Sequence, residues 1–207
     1  MNTKQKILDV SLKLFSENGY ESVSIRQICG YVKIKESSIY YHFKNKKSIL
    51  DELINMFEEK VNNMMNELEK SLNNNIHFNN DSFKNICNIF FEQYLMDDFC
   101  NKILRLLAIE QLNNDEIQKK YEIWLFENPL NFQKKVFSKL INLQVIKNND
   151  SEYLAIKYYS PIFYYTERWL LSGTLTDYKK EKFCLNAYKH IHSFFKELYI
   201  YEGIDYK

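Results

Sequence analysis

The chain is predicted to be all-α, a small N-terminal set of three helices followed by a larger helical body. Three observations predict this. Apolar residues recur at helical spacing throughout, and no alternating apolar/polar strand pattern persists. Glycine occurs four times and proline twice in 207 residues, too few for a fold built on tight turns. Capping residues stand where several of the periodic segments begin.

The first helix is predicted from Leu8, Ser11, Leu12 and Phe15, which follow i, i+3, i+4, i+7. Thr3 is its expected cap, and Gly19 supplies a left-handed stop. The second helix starts at Ser24, where Ser24 and Gln27 form an S-x-x-Q capping box flanked by Val23 and Ile28 at the staple positions. It is expected to run to about Tyr31. A third short helix, Glu36 to Phe43, carries Ile39 and Phe43 on one face. Asn45 then caps a long fourth helix with Ile49, Leu50, Leu53, Met56, Phe57, Val61, Met64 and Leu68 along one side, which NNNIHFNND (73–81) breaks. Further helices are expected at 82–97, 99–112, 115–127 and 130–144, with breaks at 113–114, Pro129 and 147–150. Two longer ones, 151–172 and 178–200, follow.

Net charge is +1, but residues 1–50 carry nine Lys/Arg against four Asp/Glu, leaving the remainder at −4. A basic head on an acidic body is the asymmetry expected when the head alone meets a polyanion. No apolar run reaches the ~18–20 residues of a membrane span, and MNTKQKILDVSLKLF lacks the apolar core of a signal peptide. A cytoplasmic protein with no membrane partner is expected. Cys29, Cys87, Cys100 and Cys184 form no C-x-x-C pair and read as reduced thiols. There is no Gly-rich phosphate loop, nucleophile elbow or H-E-x-x-H. His190 and His192 are two apart on a helix and diverge, so they cannot share a metal. The sequence suggests neither an enzyme nor a cofactor.

Residues 24–43 hold two short helices joined by a tight turn, the second studded with polar and aromatic groups, and read as a helix-turn-helix. Ser37 and Ser38 lie in the first turn of the second element, where short side chains let the backbone approach base edges. Tyr40, Tyr41 and His42 can reach phosphates or a thymine methyl. Lys46 begins the next helix, where free N–H groups already favour a phosphate. The plainer alternative makes Tyr40 and Tyr41 core aromatics, yet Ile39 and Phe43 already supply a buried face.

At these residues the chain resembles the TetR family of bacterial transcriptional regulators. The resemblance rests on Ile7-Leu8, Leu14-Phe15, Gly19-Tyr20, Ser24-Ile25-Arg26-Gln27-Ile28, Ile34, Ser38-Ile39-Tyr40-Tyr41-His42-Phe43, Asn45-Lys46 and Leu50, and covers about the first fifty residues. It implies a DNA-binding domain at 1–47 and an effector-binding, dimerising domain at 48–207. The implied DNA contacts are Ser24 to a phosphate, Arg26 to a base edge or phosphate, Glu36, Ser37, Ser38 and Tyr40 toward the major groove, and Tyr41, His42 and Lys46 to the backbone. The implied partners are double-stranded DNA with a palindromic operator, a second copy of the chain and a small-molecule effector. Three positions depart from the family pattern. Lys33 replaces a turn Gly, Lys35 replaces a capping Ser, and Gly30 sits inside the second helix.

The last two helices are too apolar for a single contact. Leu154, Tyr158, Ile162, Tyr165 and Trp169 form one stripe; Ile156, Tyr159, Phe163 and Leu170 form another, with Pro161 between. Phe183, Ala187, Tyr188, Ile191, Phe194, Phe195 and Leu198 follow on the last helix. A four-helix dimer interface centred on Tyr165, Trp169, Ile191 and Phe195 suits this pattern, as does a central helix wrapped by its own chain. Cys87, Phe90, Phe91, Tyr94, Leu104, Leu107, Tyr121, Trp124, Tyr159 and Phe163 are candidates to line an aromatic effector cavity, though aromatics at helical spacing also make ordinary core. Glu110 and Arg168 are the charges most embedded in apolar sequence and are expected to pair. Two functions fit: a dimeric repressor released by a small apolar or aromatic effector, or a DNA-binding protein whose body is a protein-interaction module.

Overall fold

The computed structural model describes residues 2–74, 80–147 and 149–198. Its elements are α1 (Thr3–Asn18), α2 (Ile25–Val32), α3 (Glu36–Ile39), α4 (Lys46–Asn74), α5 (Asn80–Phe90), α6 (Asp98–Glu110), α7 (Asp115–Glu122), α8 (Asn128–Asn142), α9 (Ser151–Tyr165) and α10 (Asp177–Leu198). The C-terminal ends of α5, α7 and α9 run on as π-helical stretches at Phe91–Leu95, Ile123–Glu127 and Thr166–Leu171. Among the described residues every such element is helical, as the spacing predicts. The middle of the Asn-rich break (75–79), Asn148 and residues 199–200 of the last predicted helix lie outside the described residues. No helix among the described residues is long and apolar enough to cross a membrane.

The chain forms two compact units: residues 1–67 with 89–120, and residues 68–88 with 121–207. In the first, α1 buries Ile7, Leu8, Leu12 and Phe15 against α2 and α6, and Ile28, Ile39 and Phe43 close the small three-helix head. From α4 come Ile49, Leu50, Leu53, Phe57, Val61 and Met64, all buried. Met56, expected on that face, is half-buried, and Ile54 is buried beside it. Asp97 caps α6 by accepting from the Cys100 N–H at 2.9 Å, and it pairs with Lys60 of α4 at 2.7 Å.

In the second unit Phe137 of α8 packs against Tyr158 of α9 and Phe194 of α10, with centroid separations of 5.6 Å to both. Phe183, Ala187 and Phe195 of α10 are fully buried, and Phe195 stacks on Phe137 at 6.2 Å. Pro161 lies inside α9 without ending it. Burial pushes the Cys87 thiol, and the Cys100 thiol of the first unit, up to about 12, so both stay protonated, consistent with the reduced-thiol reading.

Local signals were mostly where the sequence put them. Ser24 and Gln27 make the reciprocal capping box, with Val23 and Ile28 buried on either side. Asn45 caps α4, its Oδ1 accepting from Ser48 N at 2.8 Å. The cap of α1 is Asn2 rather than Thr3: Asn2 Oδ1 accepts from Gln5 N at 2.8 Å, and Thr3 is already helical. The third helix ends at Ile39, not Phe43. Lys35 provides no side-chain cap, and Ser, Tyr and His are only moderate helix formers, so one turn forms and its last carbonyl accepts from both His42 and Phe43.

Gly30 lies mid-helix with open space where a Cβ would project. Gly30→Ala is therefore expected to stabilise the protein by about 0.5–1 kcal/mol in urea unfolding. A destabilised Gly30→Ala protein would show that this face of α2 is not open.

Candidate nucleic-acid interface

The turn between α2 and α3 is made without glycine. Lys33 takes φ 63° and ψ 48°, the left-handed conformation, and its N–H donates to Cys29 O. A lysine accepts this at a modest cost, and its side chain is left exposed. Lys35, beside α3, is exposed as well. The turn of α3 then follows directly, anchored by buried Ile39.

Ser24, Arg26, Glu36, Ser37, Ser38, Tyr40 and Tyr41 are all exposed within this one stretch of chain. Tyr40 is 55% exposed and Tyr41 88%, so neither is a core aromatic. Ser24 Oγ accepts from Gln27 N at 3.2 Å and already serves the cap. His42 is half-buried, its ring edge-on to Tyr41 at 5.2 Å. Tyr31, Lys33, Lys35 and Lys44 are exposed in the same stretch and were not among the predicted contacts. In the sequence Lys33 and Lys35 are marked as departures from the family pattern and Tyr31 as a helix end, while Lys44 carries no local signal.

Lys46 differs from the others. Its Nζ donates to Tyr20 O at 2.8 Å and to Glu21 O at 3.4 Å, and lies 4.1 Å from the centre of the Tyr20 ring. The ammonium is thus turned onto the α1–α2 connection. Glu110 is buried and accepts the Tyr20 N–H at 2.8 Å. Arg168, in the second unit, is exposed, donates to Tyr164 Oη at 2.7 Å and stacks on Trp169. Glu110 therefore meets a backbone amide and Arg168 a phenol.

The ten residues expected around an effector divide evenly between the units. In the first, Phe90, Phe91, Tyr94, Leu104 and Leu107 are buried, and Tyr94 meets Phe90 at 5.3 Å and Phe57 at 6.1 Å. In the second, Cys87, Tyr121, Trp124 and Tyr159 are buried and Phe163 is half-buried. There Cys87 Sγ lies 3.3 Å from Tyr158 Oη, Tyr121 donates to Glu167 at 3.0 Å, Tyr159 donates to Leu125 O at 2.9 Å, and Phe163 meets Phe126 at 4.7 Å. A 220 Å³ depression between α8 and α9, lined by Leu130, Asn131, Ala155 and Ile156 among others, involves none of the ten. Of the expected interface residues, Tyr165 and Trp169 are half-buried, while Ile191 and Phe195 are buried within the chain.

Lys46→Ala is expected to lower stability without any DNA present, by about 1–3 kcal/mol, since it removes charge-assisted bonds to two carbonyls. Lys44→Ala, at an exposed position, should leave the unfolding midpoint unchanged. Equal midpoints for the two variants would mean that Lys46 does not hold the turn.

Residues 7–53 match the model of the tetR family of bacterial regulatory proteins. The Staphylococcus aureus negative transcriptional regulator of the biofilm operon icaADBC, IcaR, is 42% identical over 66 residues, 31% of this chain and 36% of that protein. The Staphylococcus aureus HTH-type transcriptional regulator QacR is 44% identical over 63 residues, 29% of this chain and 32% of that protein. The matched stretch therefore spans about a third of each relative's length. Along nearly the whole chain the fold is that of SmeT, the repressor of the Stenotrophomonas maltophilia multidrug efflux pump SmeDEF. The TM-score is 0.62 at 17% identity, covering 98% of this chain and 93% of SmeT. The family-model match and the identity to IcaR and QacR coincide at the N-terminus, where residues 7–53 are similar to the tetR family of bacterial regulatory proteins, and along nearly the whole chain the fold is similar to that of SmeT.

Proposed function

We propose that this protein is a sequence-specific DNA-binding transcriptional regulator, a dimeric repressor that a small apolar or aromatic effector releases from its operator. One observation carries the DNA-binding part. Glu36, Ser37, Ser38, Tyr40 and Tyr41 stand exposed on and just after a one-turn helix whose only buried residue is Ile39. Exposed hydroxyls and phenols gathered on one short stretch are groups that hydrogen-bond base edges and phosphates. Arg26 and Ser24, at the start of α2, complete the set, with Tyr41 and His42 toward the backbone. Lys46 serves there through the turn it holds and through any phosphate its third N–H meets. Residues 1–47 are the DNA-binding domain in this reading and 48–207 the effector and dimer domain, acting in the cytoplasm.

Dimerisation is supported by apolar side chains left on the outer faces of α9 and α10. Tyr153, Ile156 and Tyr164 are 57%, 48% and 53% exposed, and Tyr178 and Leu185 are 60% and 64%. They recur at helical spacing along one side of each helix, as an interface stripe does. Half-buried Tyr165 and Trp169 adjoin this stripe. Ile191 and Phe195 support it from the core. IcaR is a negative regulator and SmeT a repressor that has been seen in complex with triclosan, which supports repression and a small aromatic effector here. Cys87, Trp124 and the aromatic residues grouped with them above are the candidates to meet such a molecule.

Two measurements test the reading. Ser37→Ala and Tyr40→Phe should change the ranking of operator variants, each lost base contact shifting discrimination by about 1–3 kcal/mol. Lys44→Ala should instead weaken all duplexes alike and reduce the salt slope by about 0.9. Uniform weakening by the first two variants would remove them from base reading. For the dimer, Leu185→Glu places a charge on an exposed position, so the fold survives while association fails. Sedimentation should show a monomer with only weak, non-specific DNA binding. A Leu185→Glu dimer with normal operator affinity would exclude this face.

A further inference from the structure

The α1–α2 connection is gripped from two sides by residues outside the helix-turn-helix. Gly19 takes φ 83° and ψ 156°, a conformation that L side chains rarely adopt. A Cβ there would lie 2.6 Å from Glu110 Oε1 and 3.2 Å from Ile109 Cγ2, so the last residues of α6 sit directly on this turn. Glu110 is 7% exposed, and its Oε1 accepts the Tyr20 N–H at 2.8 Å. From the other side Lys46, the first residue of α4, donates to Tyr20 O at 2.8 Å. Tyr20 O also accepts from Val23 N at 3.3 Å, one residue before the Ser24 cap. The two peptide units that flank Tyr20 are thus fixed by an acceptor from α6 and a donor from α4. Alongside, burial pulls the Arg105 guanidinium of α6 below its usual range, and the negative charge of Glu17 near the end of α1 opposes that shift.

We infer that Glu110 is a positioning residue for DNA binding, setting the start of the helix-turn-helix through the backbone amide of Tyr20. The inference rests on the DNA-binding reading above and adds to it the residue by which α6 controls the head. The physical basis is the strength of a buried, charge-assisted hydrogen bond and the shortness of the link. Three residues separate Tyr20 from Ser24, so a shift of the α6 end displaces the capping box that starts α2.

The test compares full-length wild type, Glu110→Gln and Glu110→Ala by amide hydrogen exchange, without DNA, and by binding to a duplex from the protein's own upstream region across a salt series. Exchange at the Tyr20 amide should rise about tenfold in Glu110→Ala and severalfold in Glu110→Gln, whose neutral oxygen is a weaker acceptor. Exchange in α4 should not change. Affinity for the duplex should fall about tenfold in Glu110→Ala with the salt slope unaltered, because no phosphate contact is lost, and Glu110→Gln should restore most of it. Unchanged Tyr20 exchange, or faster exchange with unchanged affinity, overturns the inference. Should Glu110→Ala fail to fold, Glu110→Gln decides by the same exchange measurement. Absence of DNA binding in the wild type would sink the proposed function, and the exchange arm would still judge the bond.

Discussion

The backbone of Tyr20 is the point on which the N-terminal unit depends. Its N–H is taken by a buried carboxylate and its carbonyl by an ammonium, and the chain can reach both only because residue 19 is glycine. Charged partners make hydrogen bonds about twice as strong as neutral ones when water is kept away. Everything downstream is short and locally determined. Ser24 caps α2 three residues after Glu21, Lys33 turns the chain in the left-handed conformation, and α3 is one turn long. An error at Tyr20 would have little intervening structure to absorb it.

That arrangement also changes how the basic head should be understood. Residues 1–50 carry nine Lys/Arg, yet not all of this charge faces outward for DNA. Lys46 holds the turn, Lys4 pairs with Glu52 at 2.6 Å, and Lys47 pairs with Glu116 at 3.3 Å. Exposed pairs of this kind contribute little to stability, but they reduce the field that a phosphate meets. Arg26, Lys33, Lys35 and Lys44 remain exposed along the helix-turn-helix itself. The two lysines that depart from the family pattern are among them, so the cost in turn geometry and capping comes with positive charge beside the exposed Ser37, Ser38 and Tyr40.

Much of the fold was legible because helical periodicity reports directly which face is buried. Leu8, Leu12 and Phe15, and Ile49, Leu50, Leu53, Phe57, Val61 and Met64, are inside for that reason. The capping box at Ser24 and the uncapped Lys35 were legible because caps are local chemistry. What periodicity cannot say is what covers a face. Ile191 and Phe195 belong to an apolar stripe that fits a partner or the chain's own core equally well, and both are buried within the chain, Phe195 stacked on Phe137. The apolar residues left outside, such as Tyr164 and Leu185, sit on the other side of the same helices. Long-range bonds were illegible altogether. Glu110 lies 90 residues from Tyr20, and Lys46 lies 26, and no local pattern signals either contact.

The most direct test of the account is a footprint of the protein on its own upstream region, repeated with one half of the protected sequence scrambled. Two protected half-sites with centres about 10–10.5 base pairs apart, or a multiple of that spacing, are predicted. Scrambling one half-site should then abolish protection of both, as a dimer with two reading heads requires. Equal protection of the intact and the scrambled fragment would contradict the account, because binding would then owe nothing to Ser37, Ser38 and Tyr40 and everything to charge.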